Sequence, residues 1–339
     1  MKSVSRIALA AFAIAAAAPA TAFSPTQFVI FGDSFIDAGS VWQFTGNTQP
    51  ALNLGYWYGR WSDGPSWADY LGYANLGGPT PAFNIGAPAG TLPPPFTPGA
   101  TNFAVGGARG SFDDVQALGV IPSLPTQLNL FQAYLALTGQ AFDPLALYII
   151  NFGNNDVNLI QSLAGDPLAQ MAVANAYVTN MTNAVAGLSA AGAQHILLLG
   201  VPNPSEAEGV ALQAALDASL NALTPMLAPW TNFYRFDYFA FFNALEADPT
   251  QFGLPATLIT DQNRFCLAEV PPAFGMDCSN YLLFDGIHVT RGVQQALSIQ
   301  IGRQIGLAVV PEAGTWAMLI AGFGLVGVAV RRRRLAHAA

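Results

Sequence analysis

Four short apolar runs constrain this chain more than any other feature: Phe28 to Phe31, Leu145 to Phe152, His195 to Val201 and Asn232 to Phe236. Each is bounded by Gly, Pro, Asn or Asp, the residues that end strands and open turns, so each reads as a buried strand. Between them fall alanine-rich stretches of helical length, Pro167 to Leu188 and Glu206 to Leu227, and Thr290 is placed to cap a last helix running to about Leu307. Strand and helix alternate, which predicts an α/β fold whose mainly parallel sheet carries helices on both faces. The region from Gln43 to Gln140, with its Pro-rich segment Gly78 to Gly99 and several aromatics, reads instead as loops plus short helices. In open sheets of this kind ligands bind beyond the carboxyl ends of the strands, so the residues that follow each strand are where chemistry is to be sought.

The two ends have a different character. Met1 to Ala22 runs from a basic start at Lys2 and Arg6 through an alanine-rich stretch to Ala20-Thr21-Ala22, the pattern of a secretory signal that signal peptidase cuts before Phe23. A buried N-terminal helix is the alternative. At the other end, the uncharged run Gly314 to Val330 precedes Arg331, Arg332, Arg333 and Arg334. The run is short for a spanning helix yet long enough with slight thinning or snorkelling, and the arginines belong on the cytoplasmic side. With Val310-Pro311-Glu312-Ala313-Gly314-Thr315-Trp316-Ala317-Met318, the tail from 310 to 339 resembles the PEP-CTERM sorting tails processed by exosortases in Gram-negative bacteria; Ala313 stands where those tails usually have a second proline. That resemblance implies an exported protein that touches the inner membrane through its tail before processing and then reaches the cell surface or the medium. A permanent anchor is the simpler alternative.

The segment 23–309 is long enough for one large domain. The whole chain has 12 basic and 20 acidic residues and a formal net charge of −8, but six of the basic residues and only Glu312 of the acidic ones lie in the two ends, so the segment between carries −13 and no lysine. Such a surface repels nucleic acid and anionic headgroups, which excludes both as favoured partners. Cys266 and Cys278 sit in a Pro-containing loop of an exported chain, where a short-loop disulfide is the natural reading. A metal site is disfavoured, because two thiols at this spacing lack further ligands.

The first apolar run leads directly into Gly32-Asp33-Ser34, which sets a hydroxyl on a sharp turn at a strand's carboxyl end. Gly-Asp-Ser is also ordinary turn chemistry, so it gains meaning only from its company. Phe284-Asp285-Gly286-Ile287-His288 puts a carboxylate and an imidazole on a tight loop before the last helix. A serine hydroxyl is a poor nucleophile until a base takes its proton, and the imidazole needs a carboxylate to fix its tautomer and stabilise its cation. His288 and Asp285 can fill those roles; a solvated turn with a capping carboxylate is the alternative for that loop alone. In Asn102-Phe103-Ala104-Val105-Gly106-Gly107-Ala108 the paired glycines let backbone N–H groups approach a ligand, and Gly153-Asn154-Asn155-Asp156 offers a side-chain amide just after a strand.

These four segments, in this order, resemble the blocks of the GDSL family, the SGNH hydrolases. Gly59-Arg60-Trp61-Ser62-Asp63-Gly64-Pro65-Ser66-Trp67-Ala68-Asp69-Tyr70-Leu71 is similar to the segment that follows the nucleophile in the plant-type and autotransporter-type branch, which is rich in lipases and esterases. Phe35 stands where the first block often has Leu. The resemblance spans Phe28 to about Arg303 and implies a three-layer α/β/α, flavodoxin-like fold. It maps the nucleophile to Ser34, the base to His288, its orienter to Asp285, and the oxyanion donors to the N–H groups of Ser34 and Gly107 and the side chain of Asn155, with Gly106 competing for the place of Gly107. Asp33, Asp37 and Asp156 read as structural hydrogen-bonding partners. The implied reaction is acyl transfer through an acyl-enzyme, with no metal or organic cofactor. Trp42, Phe44, Trp57 and Trp61 are compatible with a groove for a lipid-like acyl chain, and with core packing. The alternatives are a polysaccharide O-acetyl esterase, an acyltransferase, and a non-catalytic surface or matrix protein on a hydrolase scaffold.

Overall fold

The structure of the protein is a computed structural model that describes residues 23–79, 81–83, 100–116 and 119–309. The expected signal segment 1–22 and sorting tail 310–339 lie outside the described residues. Among those described, no helix is long and apolar enough to cross a membrane.

In chain order the strands are β1 (Phe28–Gly32), β2 (Ala100–Asn102), β3 (Asp114–Gln116), β4 (Gly119–Ile121), β5 (Leu147–Asn151), β6 (His195–Leu199) and β7 (Asn232–Phe236). β3 and β4 form a separate antiparallel pair, and the other five make one wholly parallel sheet in the order β2-β1-β5-β6-β7. The helices are α1 (Ser40–Phe44), α2 (Trp67–Leu76), α3 (Leu124–Thr138), α4 (Asn154–Ser162), α5 (Pro167–Ala190), α6 (Ala207–Leu223), α7 (Tyr238–Ala247), α8 (Cys266–Glu269) and α9 (Arg291–Ile305).

The strands β1, β5 and β6 read as mainly apolar runs because helices cover both faces of the sheet, which makes three layers. Alternate side chains of one strand enter different cores. Val29, Phe31, Tyr148, Ile150, Ile196 and Leu198 pack with Phe131 of α3, Tyr177 of α5 and Leu216 of α6. Phe28, Ile30, Leu147, Ile149, Leu197 and Leu199 pack with Trp67 of α2, Tyr238 of α7, and Val293, Leu297 and Ile301 of α9. The four-residue spacing of those α9 residues puts them on one stripe.

The region between Gln43 and Gln140 is more ordered than its sequence indicates. It holds the three-residue edge strand β2 and the fifteen-residue helix α3. Ala-Thr-Asn has little strand signal of its own, and β2 exists because it pairs with Phe28, Val29 and Ile30 of β1. Pro125 stands in the first turn of α3, where its missing N–H costs nothing. Two further expectations are corrected. Thr290 occupies the N-cap position of α9, but its hydroxyl donates to Tyr281 O at 2.8 Å and caps nothing. The stretch expected to be helical to Leu227 ends as an α-helix at Leu223 and continues as a 3-10 turn over Thr224–Met226.

Candidate active site

Gly32 of β1 lies opposite Asn151 of β5, so the segments that follow these two strands emerge side by side. This is the switch point of the sheet, where β2 is added on one side of β1 and β5, β6 and β7 on the other. Backbone and side chains together fix the turn that carries Ser34. The Asp33 N–H donates to Asn151 O at 3.2 Å, and the Phe35 N–H donates to Asp33 Oδ1 at 3.0 Å. From α3, the buried Gln127 amide grips Gly32 at both ends, accepting from its N–H and donating to its carbonyl, each at 2.9 Å. Ser34 is itself nearly buried. Beneath it, burial pushes the Asp33 carboxyl up to about 8, against the Phe35 hydrogen bond that lowers it. Asp33 is therefore a neutral acid at pH 7, suited to shaping the turn and unsuited to serving as a base.

The loop before α9 assembles the second half of the site. Asp285 Oδ2 meets His288 Nδ1 at 2.8 Å, and its Oδ1 accepts from the N–H groups of Ile287 at 3.0 Å and His288 at 2.8 Å. The Tyr56 hydroxyl donates to Oδ2 at 2.8 Å. Burial raises the Asp285 carboxyl, but its electrostatic interaction with the His288 imidazole and these hydrogen bonds outweigh it and hold the group below its ordinary range. Burial, then the charge of Asp285, keeps the Tyr56 phenol protonated. The imidazole sits between aromatic rings, with centroids of Trp61 at 5.4 Å and Phe35 at 5.9 Å. Its Nε2 is buried and has no hydrogen-bond partner. The ring is thus oriented through Nδ1, and no hydrogen bond joins Nε2 to Ser34 Oγ.

The glycine pair after β2 divides its labour. The Gly106 N–H donates to Asp37 Oδ2 at 2.8 Å, the same carboxylate that accepts from Gly39 and Ser40. A side chain at Gly106 would collide with the Trp61 indole, 2.6 Å from where its Cβ would stand. Gly107 lies in the left-handed region, at φ +85°, where glycine is favoured. Of the two candidate donors, Gly106 is spoken for. Asn155, in the first turn of α4, donates one amide proton to Ala108 O at 2.9 Å, which ties it to the same loop and leaves its second proton to give. Asp156 accepts from Gly110 and Ser111, so it too is a loop former; burial raises it to about 6.

A cavity of about 300 Å³ opens beside Gly106 and Gly107. Its walls are mainly apolar, with Val41, Phe44, Trp61, Val105, Val120 and Ile121 among them. Of the four aromatics singled out in the sequence, Phe44 and Trp61 line this cavity. Trp57 does not; it lies under the Arg60 guanidinium, 5.3 Å from its ring centre. Trp42 packs against Gly59 instead.

The segment 59–71 serves as a brace. Ser62 Oγ donates to Val289 O at 2.8 Å, Asp63 Oδ1 accepts from the Arg291 N–H at 2.7 Å, and Arg60 forms a two-pronged pair with Asp69, both bonds 2.9 Å. Cys266 and Cys278 form a disulfide that closes the loop ahead of Asp285. Sequence reasoning missed Tyr56 and Gln127, whose partners lie 229 and 95 residues away.

The profile of the GDSL-like lipase/acylhydrolase family matches residues 28–301, from the first residue of β1 into α9. The chain belongs to the GDSL family. The PEP-CTERM protein-sorting motif matches residues 309–334, so this GDSL domain is followed by a sorting tail. No curated protein matches the chain.

Proposed function

We propose that this GDSL protein is an exported serine esterase that cleaves carboxylic esters through an acyl-enzyme on Ser34. His288 Nε2 takes the Ser34 proton as Oγ attacks the ester carbonyl, while Asp285 holds the ring and stabilises its cation. The oxyanion forms against the N–H groups of Ser34 and Gly107 and the Asn155 amide. As the bond to the alcohol oxygen breaks, His288 returns the proton to it, and water then releases the acid by the same steps in reverse order. The observation that carries this reading is the Asp285–His288 pair with a buried, unpartnered Nε2 between Phe35, next to Ser34, and Trp61, which covers Gly106.

The cavity beside Gly107 supports an acyl chain over an acetyl group. Its volume of about 300 Å³ is far more than an acetyl group fills, and its walls are mainly apolar. The signal segment and the tail complete the proposal: signal peptidase and an exosortase process the protein on its way to the surface of a Gram-negative cell. Hydrolysis of p-nitrophenyl esters from acetate to palmitate tests the enzyme reading. We expect turnover that peaks at intermediate length and is lost in Ser34→Ala. Equal activity in a folded Ser34→Ala protein overturns the assignment.

A further inference from the structure

The reacting centre is flanked by a second cavity, of about 240 Å³, bounded by Phe35 next to Ser34 and by Gly286, Ile287 and Val289 around His288. Its outer wall is of another kind from the apolar cavity beside Gly107: Asn158, Asn203, Glu206 and Glu246 share it with Phe242, and no Lys or Arg lines it among the described residues. Part of this wall is already set. The Asn203 amide donates to Asn154 Oδ1 at 2.9 Å and to Glu206 Oε1 at 3.0 Å, while Gln161 donates to Glu206 Oε2 at 2.7 Å. The Asn158 and Glu246 side chains are exposed and make no hydrogen bond to the described residues, so their donors and acceptors are open to a ligand.

We infer that this cleft binds the alcohol half of the ester, and that this alcohol is an uncharged polyol of the glycerol or sugar class. The inference rests on the esterase reading and deepens it. The leaving oxygen takes its proton from His288, so the alcohol lies on the flank bounded by the neighbours of His288, and the acyl chain turns to the apolar cavity beside the oxyanion donors. Each hydroxyl both donates and accepts. Amides offer both functions in one group, and a carboxylate accepts from hydroxyl pairs. Two carboxylates with no cation beside them repel a phosphate, which argues against a phospholipid headgroup. Phe35 and Phe242 supply apolar surface for the C–H faces of a polyol.

The test compares kcat/KM of the protein for four decanoyl esters that share one acyl chain: those of glucose, glycerol, glycerol phosphate and ethanol. Asn158→Ala and Glu246→Ala are run beside the wild type, with thermal melts to verify folding. The wild type should prefer the glucose or glycerol ester to the ethyl ester, and each variant should lose about tenfold on the polyol ester with less than a twofold change on the ethyl ester. Equal losses on both esters, no loss on either, or a preference for glycerol phosphate overturns the inference while leaving serine-dependent esterase activity standing. Absence of turnover on every ester overturns the esterase reading and this inference with it.

Discussion

The turn that carries Ser34 and the loop that carries His288 meet at one centre but are built by different means. Ser34 follows a strand with parallel neighbours on both sides, and Gln127 and Asn151 bond to the backbone beneath it. Its position is inherited from the sheet. His288 lies in a stretch that contains only the four-residue helix α8, held by the Cys266–Cys278 disulfide, by bonds from Cys266 N to Leu283 O and from Leu267 N to Phe284 O, and by a small cluster of Tyr56, Met276 and Phe284. Ser34 is therefore fixed by secondary structure, and His288 by a covalent clip and tertiary contacts. Damage to the clip should cost activity before it costs the fold.

The largest expected effect falls on the His288 side. Asp285→Asn keeps the size of the side chain and removes the charge that holds the Nδ1 tautomer, so kcat should fall by about four orders of magnitude, as in other serine triads. A loss below tenfold would mean that the imidazole is held without Asp285. Next comes the disulfide. Cys266→Ala with Cys278→Ala should lower kcat at least tenfold and cost about 3 kcal/mol, the usual worth of a loop of this length. The comparison predicts that activity on heating is then lost at a lower temperature than far-UV circular dichroism; coincident loss would break it.

Smaller effects sharpen the contrast. Tyr56→Phe removes one hydrogen bond from Asp285 and should reduce kcat roughly fivefold with KM unchanged. The last expected effect is on stability instead of kcat, lies on the sheet side and depends on pH. The Asp33 carboxyl ionises near 3.8 when unfolded and at about 8 in the native protein, so between those values the native state holds the extra proton and stability falls as pH rises. Asp33→Asn binds no proton in either state. Its Tm should therefore gain on the wild type between pH 4 and pH 8, and a gain in the opposite direction would place an ionised Asp33 beneath Ser34.

The same contrast explains what could be read in the sequence. Ser34, Gly107, Asn155, Asp285 and His288 stand in short segments directly after strands or before a helix, where residue type and local spacing carry the signal. The parallel sheet was legible from β1, β5 and β6 because burial on both faces makes each a mainly apolar run, while the edge strand β7 was marked by its aromatic residues between turn formers. β2 was not, since its three residues depend on β1 for their order. Nor were Tyr56 and Gln127, because a hydroxyl or an amide shows no local mark of a partner so far along the chain. Nor was the bond from the Gly106 N–H to Asp37, which only the folded loop brings together.

The central claim is that Ser34, activated by His288, forms a covalent acyl-enzyme. A p-nitrophenyl alkylphosphonate tests it by transferring phosphorus to an activated serine, and peptide mass spectrometry locates the adduct. The account predicts one adduct per chain, on Ser34, with release of one p-nitrophenolate and no adduct in the folded His288→Ala protein. A label on another residue, or none on the folded wild type, would contradict it.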